Sequence, residues 1–284
     1  MRKPLVLCAL LLISSLAPAA ASPQTYTGSW FARPDGSQVE LQIRYSYRDG
    51  DDSENWSESR DYNYSDLRGI SSSDFNSGGE HKTFSLVTDP GEFRADGWFA
   101  GGHGSGGWTF VPSSSFRSEM QRRGVGGIGD ADLFHLAMSN FKLATIDQLR
   151  SAGFTNINAS DLVRMGEHGV SADYIAGMRN VSFNPKTIDG LIRMRDHGVT
   201  VRFVQDLSRS GFHPDMDEVA RLRDHGVSSD YVQDLDRLGY HPSIDDLVRL
   251  RDHGVTAAFI ERMRAHGYTH LSADDLIRLR DHGF

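Results

Sequence analysis

One cysteine, Cys8, occurs in 284 residues. A lone thiol cannot close an intramolecular disulfide, so the core must hold without covalent staples. Positive charge is also short, with 30 Lys and Arg against 38 Asp and Glu and a formal net charge of −8. Binding to a phosphate backbone needs a cationic surface, so no nucleic-acid partner is expected. Several catalytic signatures are missing as well: an HExxH helix, a Gly-Lys-[ST] phosphate loop and a G-x-S-x-G nucleophile elbow. The chain therefore reads as a non-enzyme with no catalytic residue, no cofactor and no metal site.

Long apolar runs are scarce too. The one apolar stretch, Leu5 to Leu16, follows Arg2 and Lys3 and precedes Ala19-Ala20-Ala21. It is short for a membrane span, and the order basic, apolar, small is that of a secretory signal. Residues 1–21 are thus expected to be a signal peptide that takes Cys8 with it. The mature chain is expected in a bacterial periplasm or outside the cell, with no stable membrane insertion after cleavage.

Residues 22–111 read as a small antiparallel β domain. Val39, Leu41, Ile43, Tyr45 and Tyr47 alternate with polar residues, which puts one apolar face on a strand. Lys82 to Val87, Phe93 to Phe99 and Trp108 to Val111 read as further strands, and a sandwich or open barrel fits this length. Asp49 to Glu58 is acidic and reads as an exposed hairpin loop, and Gly101 to Gly107 as a flexible hairpin tip. His103, Ser105 and Asp96 lie near one another in the chain, but proximity alone makes no hydrolase. All four tryptophans, Trp30, Trp56, Trp98 and Trp108, fall in this domain. Large rings in a small β domain mostly fill the core. Trp56, inside the acidic loop, is the one expected to be an exposed contact residue.

From residue 112 on, a phrase recurs every 28 or 29 residues: Glu167-His168-Gly169-Val170, Asp196-His197-Gly198-Val199, Asp224-His225-Gly226-Val227, Asp252-His253-Gly254-Val255 and Asp281-His282-Gly283-Phe284. A fixed period of this size marks a repeat architecture. A second mark lies between the first ones, at Gly153-Phe154, Ser182-Phe183, Gly211-Phe212, Gly239-Tyr240 and Gly267-Tyr268. Degenerate copies at Gly124-Val125 and Asn140-Phe141 extend the count to six units, near 112–141, 142–170, 171–199, 200–227, 228–255 and 256–284. Each unit is expected to hold two short helices. The fold class is then α+β in two domains, a β domain followed by an all-α array of six helical hairpins. Helices this short need neighbours, so the units must stack as a solenoid or superhelical bundle.

The histidines and glycines of the ruler mark read as helix-end caps. His168, His197, His225, His253 and His282 sit where imidazolium meets the negative end of a helix dipole. Gly169, Gly198, Gly226, Gly254 and Gly283 suit the left-handed residue that follows. A metal ladder is disfavoured, because ligands about 2 Å from one ion cannot come from atoms spaced like packed helices, about 10 Å apart. Asp189/Arg193, Asp217/Arg221, Asp245/Arg249 and Asp274/Arg278 read as i,i+4 pairs within helices. Arg195, Arg223, Arg251 and Arg280 recur once per unit and form the candidate partner-binding stripe.

The Leu-x-x-Leu-Arg-Asp-His-Gly-Val-Thr phrase with its following Gly-Tyr resembles helical repeats of exported bacterial proteins. Similar repeats follow the protease domain in some BlaR-type sensor peptidases. The resemblance covers residues 112–284 and implies a helical array without protease activity. The Gly-Val-[ST] turn is also similar to half of a helix-hairpin-helix DNA motif. Thr200, Ser228 and Thr256 replace its second glycine, however, and acids outnumber bases in this half. The function expected from these residues is that of an exported, non-catalytic scaffold whose array docks a protein or peptide. The alternative is a glycan- or small-ligand-binding envelope protein using the Trp-rich domain.

Overall fold

The computed structural model describes residues 26–49, 52–183 and 185–284. The expected signal peptide and Cys8 lie outside the described residues. The chain folds as α+β, with an antiparallel sheet followed by helices in sequence. Seven strands make one curled sheet: β1 Thr27–Asp35, β2 Gln38–Asp49, β3 Asp52–Asn63, β4 Leu67–Arg68, β5 Gly78–Val87, β6 Gly91–Ala100 and β7 His103–Pro112. The order across the sheet is β3-β2-β1-β7-β6-β5-β4. This is a single curled sheet that does not close, so the sandwich expectation is corrected, while the open-barrel one is not contradicted.

Period two holds along the strands. Trp30 and Ala32, then Val39, Leu41, Ile43 and Tyr45, then Phe93, Ala95 and Phe99, and then Trp108 and Phe110 are buried on one face. Two expected loops are strand instead. The backbone from Asp52 through Glu58 pairs with β2, with Trp56 opposite Tyr45. The ladder hydrogen bonds of a long hairpin thus hold the backbone of this segment extended. Only Gly101 and Gly102 turn the β6–β7 hairpin, and Gly104 to Gly107 run inside β7. Close approach is the reason. Gly97 faces Gly106 across the ladder, and a Cβ on Gly106 would lie 1.9 Å from the Asp96 carbonyl oxygen. A Cβ on Gly97 would strike the Trp30 ring at 2.7 Å.

Twelve nine-residue helices follow among the described residues: α1 Ser114–Arg122, α2 Asp130–Met138, α3 Leu143–Ser151, α4 Ala159–Glu167, α5 Ala172–Asn180, α6 Ile188–Asp196, α7 Val201–Arg209, α8 Met216–Asp224, α9 Ser229–Arg237, α10 Ile244–Asp252, α11 Ala257–Ala265 and α12 Ala273–Asp281. A helix of this length is about 14 Å long and unstable alone. Each packs on the equivalent helix one unit on. From α3 the odd helices form one row, α3 on α5, α5 on α7, α7 on α9 and α9 on α11, and the even helices α2 to α12 form another. Buried residues such as Phe203, Leu207, Leu222, Val227 and Phe259 run through the stack. The result is a two-layered solenoid.

Both helix ends are written in local sequence. Ser, Thr, Asn or Asp caps every N-terminus except those of α2 and α3; the Thr256 hydroxyl, for example, accepts from the Phe259 N–H at 3.2 Å. At the C-termini, Val170 N–H donates to Met165 O at 2.8 Å, while Gly169 N–H donates to Gly166 O at 3.1 Å. This pair of bonds is the Schellman motif, with Gly169 at φ +67°. The same pattern closes α6, α8, α10 and α12. Where glycine is missing from the mark, Asn140 and Ser182 take the left-handed position, at φ 52° and 58°.

The sheet and the array share one core. Phe134 of α2 is fully buried, inserted into the apolar face of the sheet. Its ring stacks on Tyr26 at 4.6 Å and on Trp108 at 5.7 Å, and meets Tyr45 edge-on at 4.8 Å. The other half of that face is covered by Phe75, from a 3-10 turn at Ser72–Asn76, which meets Phe99 edge-on at 5.1 Å. The first helical unit therefore acts as the lid of the β sheet. Such rings carry most of the buried area in a core this small.

Candidate functional site

The face of the sheet turned away from α2 is built from the alternate residues of the same strands. One row runs across four strands: Phe31 on β1 faces Ser105 on β7, Ser105 faces Trp98 on β6, and Trp98 faces His81 on β5. Trp98 is 61% exposed and Phe31 is 40% exposed. Two strand spacings separate these rings, about 9.5 Å. Each ring is flanked by an imidazole: His103 stacks on Phe31 at 5.8 Å, and His81 meets Trp98 edge-on at 5.4 Å.

The next rows are polar. Gly107 faces Asp96, which faces Thr83; Thr109 faces Arg94, which faces Ser85. Asp96, Thr83, Thr109, Arg94 and Ser85, with Arg68 of β4, line an open cleft of about 720 Å³, and Gly107 lies beside it. His81 Nε2 lies 3.6 Å from Asp96 Oδ2. Arg94 Nε donates to Glu92 at 2.8 Å, and that bond holds the Glu92 carboxyl below the usual carboxylate range.

Trp30 and Trp108 are buried core residues, with indole N–H groups donating to Asp96 O and Ser29 O. Trp56 is 42% exposed, but on a strand rather than a loop tip. Its ring tilts over Tyr45 at 5.9 Å, at the rim of the helix-covered face. A groove of about 570 Å³ lined by Ser29, Arg44, Tyr45 and Ser57 opens beside it. Sequence reasoning missed Trp98 and Phe31. The signal was present: in Phe93-Arg94-Ala95-Asp96-Gly97-Trp98-Phe99, period two puts Trp98 with Arg94 and Asp96, away from the phenylalanines. Among the described residues no hydrogen bond joins Ser105 to His103 or Asp96; His103 Nδ1 lies 3.3 Å from Gly101 O instead.

The repeated charges of the array make contacts within and between the units. The guanidinium of Arg195 lies over the Tyr174 ring at 5.0 Å, Arg223 over Phe203 at 5.1 Å, Arg251 over Tyr231 at 5.3 Å and Arg280 over Phe259 at 5.7 Å. Arg195, Arg223 and Arg251 are half-buried, and Arg280 is exposed. Arg251 Nε also donates to Gly226 O in the preceding unit, at 2.9 Å. These arginines shield rings, because a planar cation stacks well on an aromatic face, and Arg251 also ties one turn to the next.

The expected in-helix pairs are corrected. Arg164 donates to Asp189 of the next even helix at 2.6 Å. Arg193, Arg221 and Arg249 do the same to Asp217, Asp245 and Asp274. The histidines form a second ladder. His168 Nδ1 donates to Asp196 at 2.6 Å, His197 to Asp224, His225 to Asp252 at 2.8 Å and His253 to Asp281 at 3.0 Å. Each histidine occupies the C-cap backbone position, but its ring bonds the next unit and not a free carbonyl of its own helix. Among the described residues no group of three or more His, Cys, Asp or Glu could hold a metal ion. None of their helices is long and apolar enough to cross a membrane.

Compared with known protein families and curated proteins, the chain matches no family model and no curated protein.

Proposed function

We propose that this is an exported, non-catalytic binding protein of the bacterial envelope, in which the array is the scaffold and the outer face of the sheet is the contact surface. The observation that carries this reading is where exposed aromatic surface lies. Phe31, Val87 and Trp98 are exposed on the outer face of the sheet, Phe31 and Trp98 in one row, whereas Trp56 is exposed at the rim of the other face and Tyr268 and Phe284 are the exposed large apolar residues of the array among those described. Binding energy concentrates in aromatic and arginine anchors that a partner can desolvate. Arg195, Arg223, Arg251 and Arg280 already lie over rings, and Arg164, Arg193, Arg221 and Arg249 in inter-unit ion pairs. A ladder of exposed ion pairs stiffens a repeat protein and offers a partner little. The basic start of the chain and its A-x-A site support export.

The test compares two variants of the full chain, immobilised and exposed to solubilised bacterial envelope, with bound protein and bound carbohydrate both measured. Phe31→Ala/Trp98→Ala should lose capture, and Arg193→Glu/Arg221→Glu should keep it. The reverse pattern would overturn the reading in favour of protein or peptide docking on the array.

A further inference from the structure

We propose that the cleft on the outer face of β4, β5, β6 and β7, continued by the Phe31–Trp98 row, is a binding site for a neutral oligosaccharide. This inference rests on the contact surface proposed above and names its ligand class.

The first argument is the spacing of the rings. The rim carries two exposed aromatic rings, Phe31 and Trp98, kept apart by the small Ser105 between them. A protein hot spot wants rings gathered into one desolvated patch. A sugar chain instead presents the apolar C–H face of one pyranose at a time, so separated rings on a flat floor suit it. Rings of this kind offer a broad apolar face at low conformational cost.

The second argument is the chemistry of the floor. Thr83, Ser85 and Thr109 supply hydroxyls, Asp96 a carboxylate and Arg94 a planar guanidinium, on adjacent rows of the ladder. A polyol needs donors and acceptors side by side, because each sugar hydroxyl both gives and takes a hydrogen bond. Thr, Ser, Asp and Arg at strand spacing provide that mixture. The floor is also preorganised, since every one of these residues sits on a hydrogen-bonded strand.

The third argument is charge. The cleft sets two carboxylates, Glu92 and Asp96, against two guanidiniums, Arg68 and Arg94, and Arg94 is paired to Glu92. A balanced site attracts neither an anionic chain nor a cationic peptide at long range. It matches a neutral ligand that competes for polar contacts at short range.

Gly107 provides the discriminating variant. It lies in the middle of the row that holds Asp96 and Thr83. A Cβ there meets nothing closer than 3.8 Å, the Asp96 Oδ1 and Gly28 carbonyl oxygens. A Cβ at this position is therefore accommodated, and Gly107→Val places bulk beside the Asp96 carboxylate at the edge of the cleft.

The experiment titrates the full chain with cellohexaose, chitohexaose, xylohexaose and maltohexaose, and with hexagalacturonate as an acidic counterpart. Calorimetry and tryptophan fluorescence both report binding. One or more neutral hexasaccharides should bind at one site per chain and perturb tryptophan emission. Trp98→Ala and Gly107→Val should each weaken that binding about tenfold or more, a loss readily read in Kd. Trp56→Ala should leave it unchanged. Circular dichroism of Gly107→Val should match that of the parent chain. Three results would overturn the inference: no binding by any neutral hexasaccharide, binding that survives Gly107→Val, or preference for hexagalacturonate. If the glycans fail while the Phe31→Ala/Trp98→Ala variant still loses envelope capture, the contact surface stands and its occupant is a protein. If capture is also intact in that variant, both readings fall.

Discussion

The imidazole of His225 and the carboxylate of Asp252 lie 2.8 Å apart, although 27 residues separate them in the chain. Asp252 is followed by His253, which bonds Asp281 in turn. The same two-residue phrase thus accepts from the unit before it and donates to the unit after it. The pairs are roughly half-exposed, so each is a screened surface contact and not a buried anchor.

For this reason His225→Ala should cost under about 1 kcal/mol. A double-mutant cycle with Asp252→Asn, measured by urea unfolding, should return a coupling of the same small size that shrinks in high salt. A coupling of several kcal/mol that ignores salt would contradict the exposed geometry.

The glycine of the ruler mark should matter more than the histidine. Gly254 sits at φ +65°, where a β-branched side chain clashes with its own backbone. Gly254→Val should therefore lose about 1–3 kcal/mol, and His253→Ala less. Equal losses in parallel denaturation curves would remove the distinction between them.

Phe134 makes the sheet and the first helical unit one cooperative body. Phe134→Ala should destabilise by about 3–5 kcal/mol, the usual loss for a fully buried phenylalanine. Near-ultraviolet circular dichroism, which reports Trp108 and Tyr45, and helical far-ultraviolet signal from α2 should be lost together. If the sheet keeps its aromatic signal while the first helices melt, the two are separate folding units.

Tyr174 and Tyr231 give the array an alkaline limit. Burial pushes each phenol up to about 12, and each hydroxyl donates to a carbonyl of the next turn, Val199 and Val255. A raised folded-state value means the native state holds its proton longer than the unfolded chain does. The stability these tyrosines contribute is complete below pH about 10 and is lost as the pH rises from about 10 to about 12. Phenolate absorbance should show Tyr174 and Tyr231 among the late-titrating phenols, beside Tyr62, Tyr64 and Tyr240, which burial also raises, and Tyr231→Phe should remove one of them. Titration of both near pH 10 in the folded chain would refute their burial.

The two helices per unit, their N-caps and their glycine stops were legible because each depends on residues within one turn of the helix. Thr256 capping Phe259 and Val170 bonding back to Met165 are contacts three to five residues long. The alternation along β2 was legible for a similar reason. Trp56 and the acidic segment misled, because local charge resembles a loop while the ladder to β2 is a long-range fact. The glycines of β7 misled in the same way: they mark close strand approach, which a sequence does not distinguish from a flexible turn.

Local chemistry alone, then, determined the period, the helix ends and the α+β order of this chain. The tertiary structure decided what the repeated side chains meet. Arg195 and Arg251 lie over rings, His225 meets Asp252, and Phe134 closes the sheet. The physical reason is pitch. Stacking one unit on the next brings positions 24 to 28 residues apart into bonding distance, and only that packing converts a stripe in the sequence into a ladder. It also leaves Trp98 and Phe31 facing solvent, because α2 covers one face of the sheet and leaves the other open.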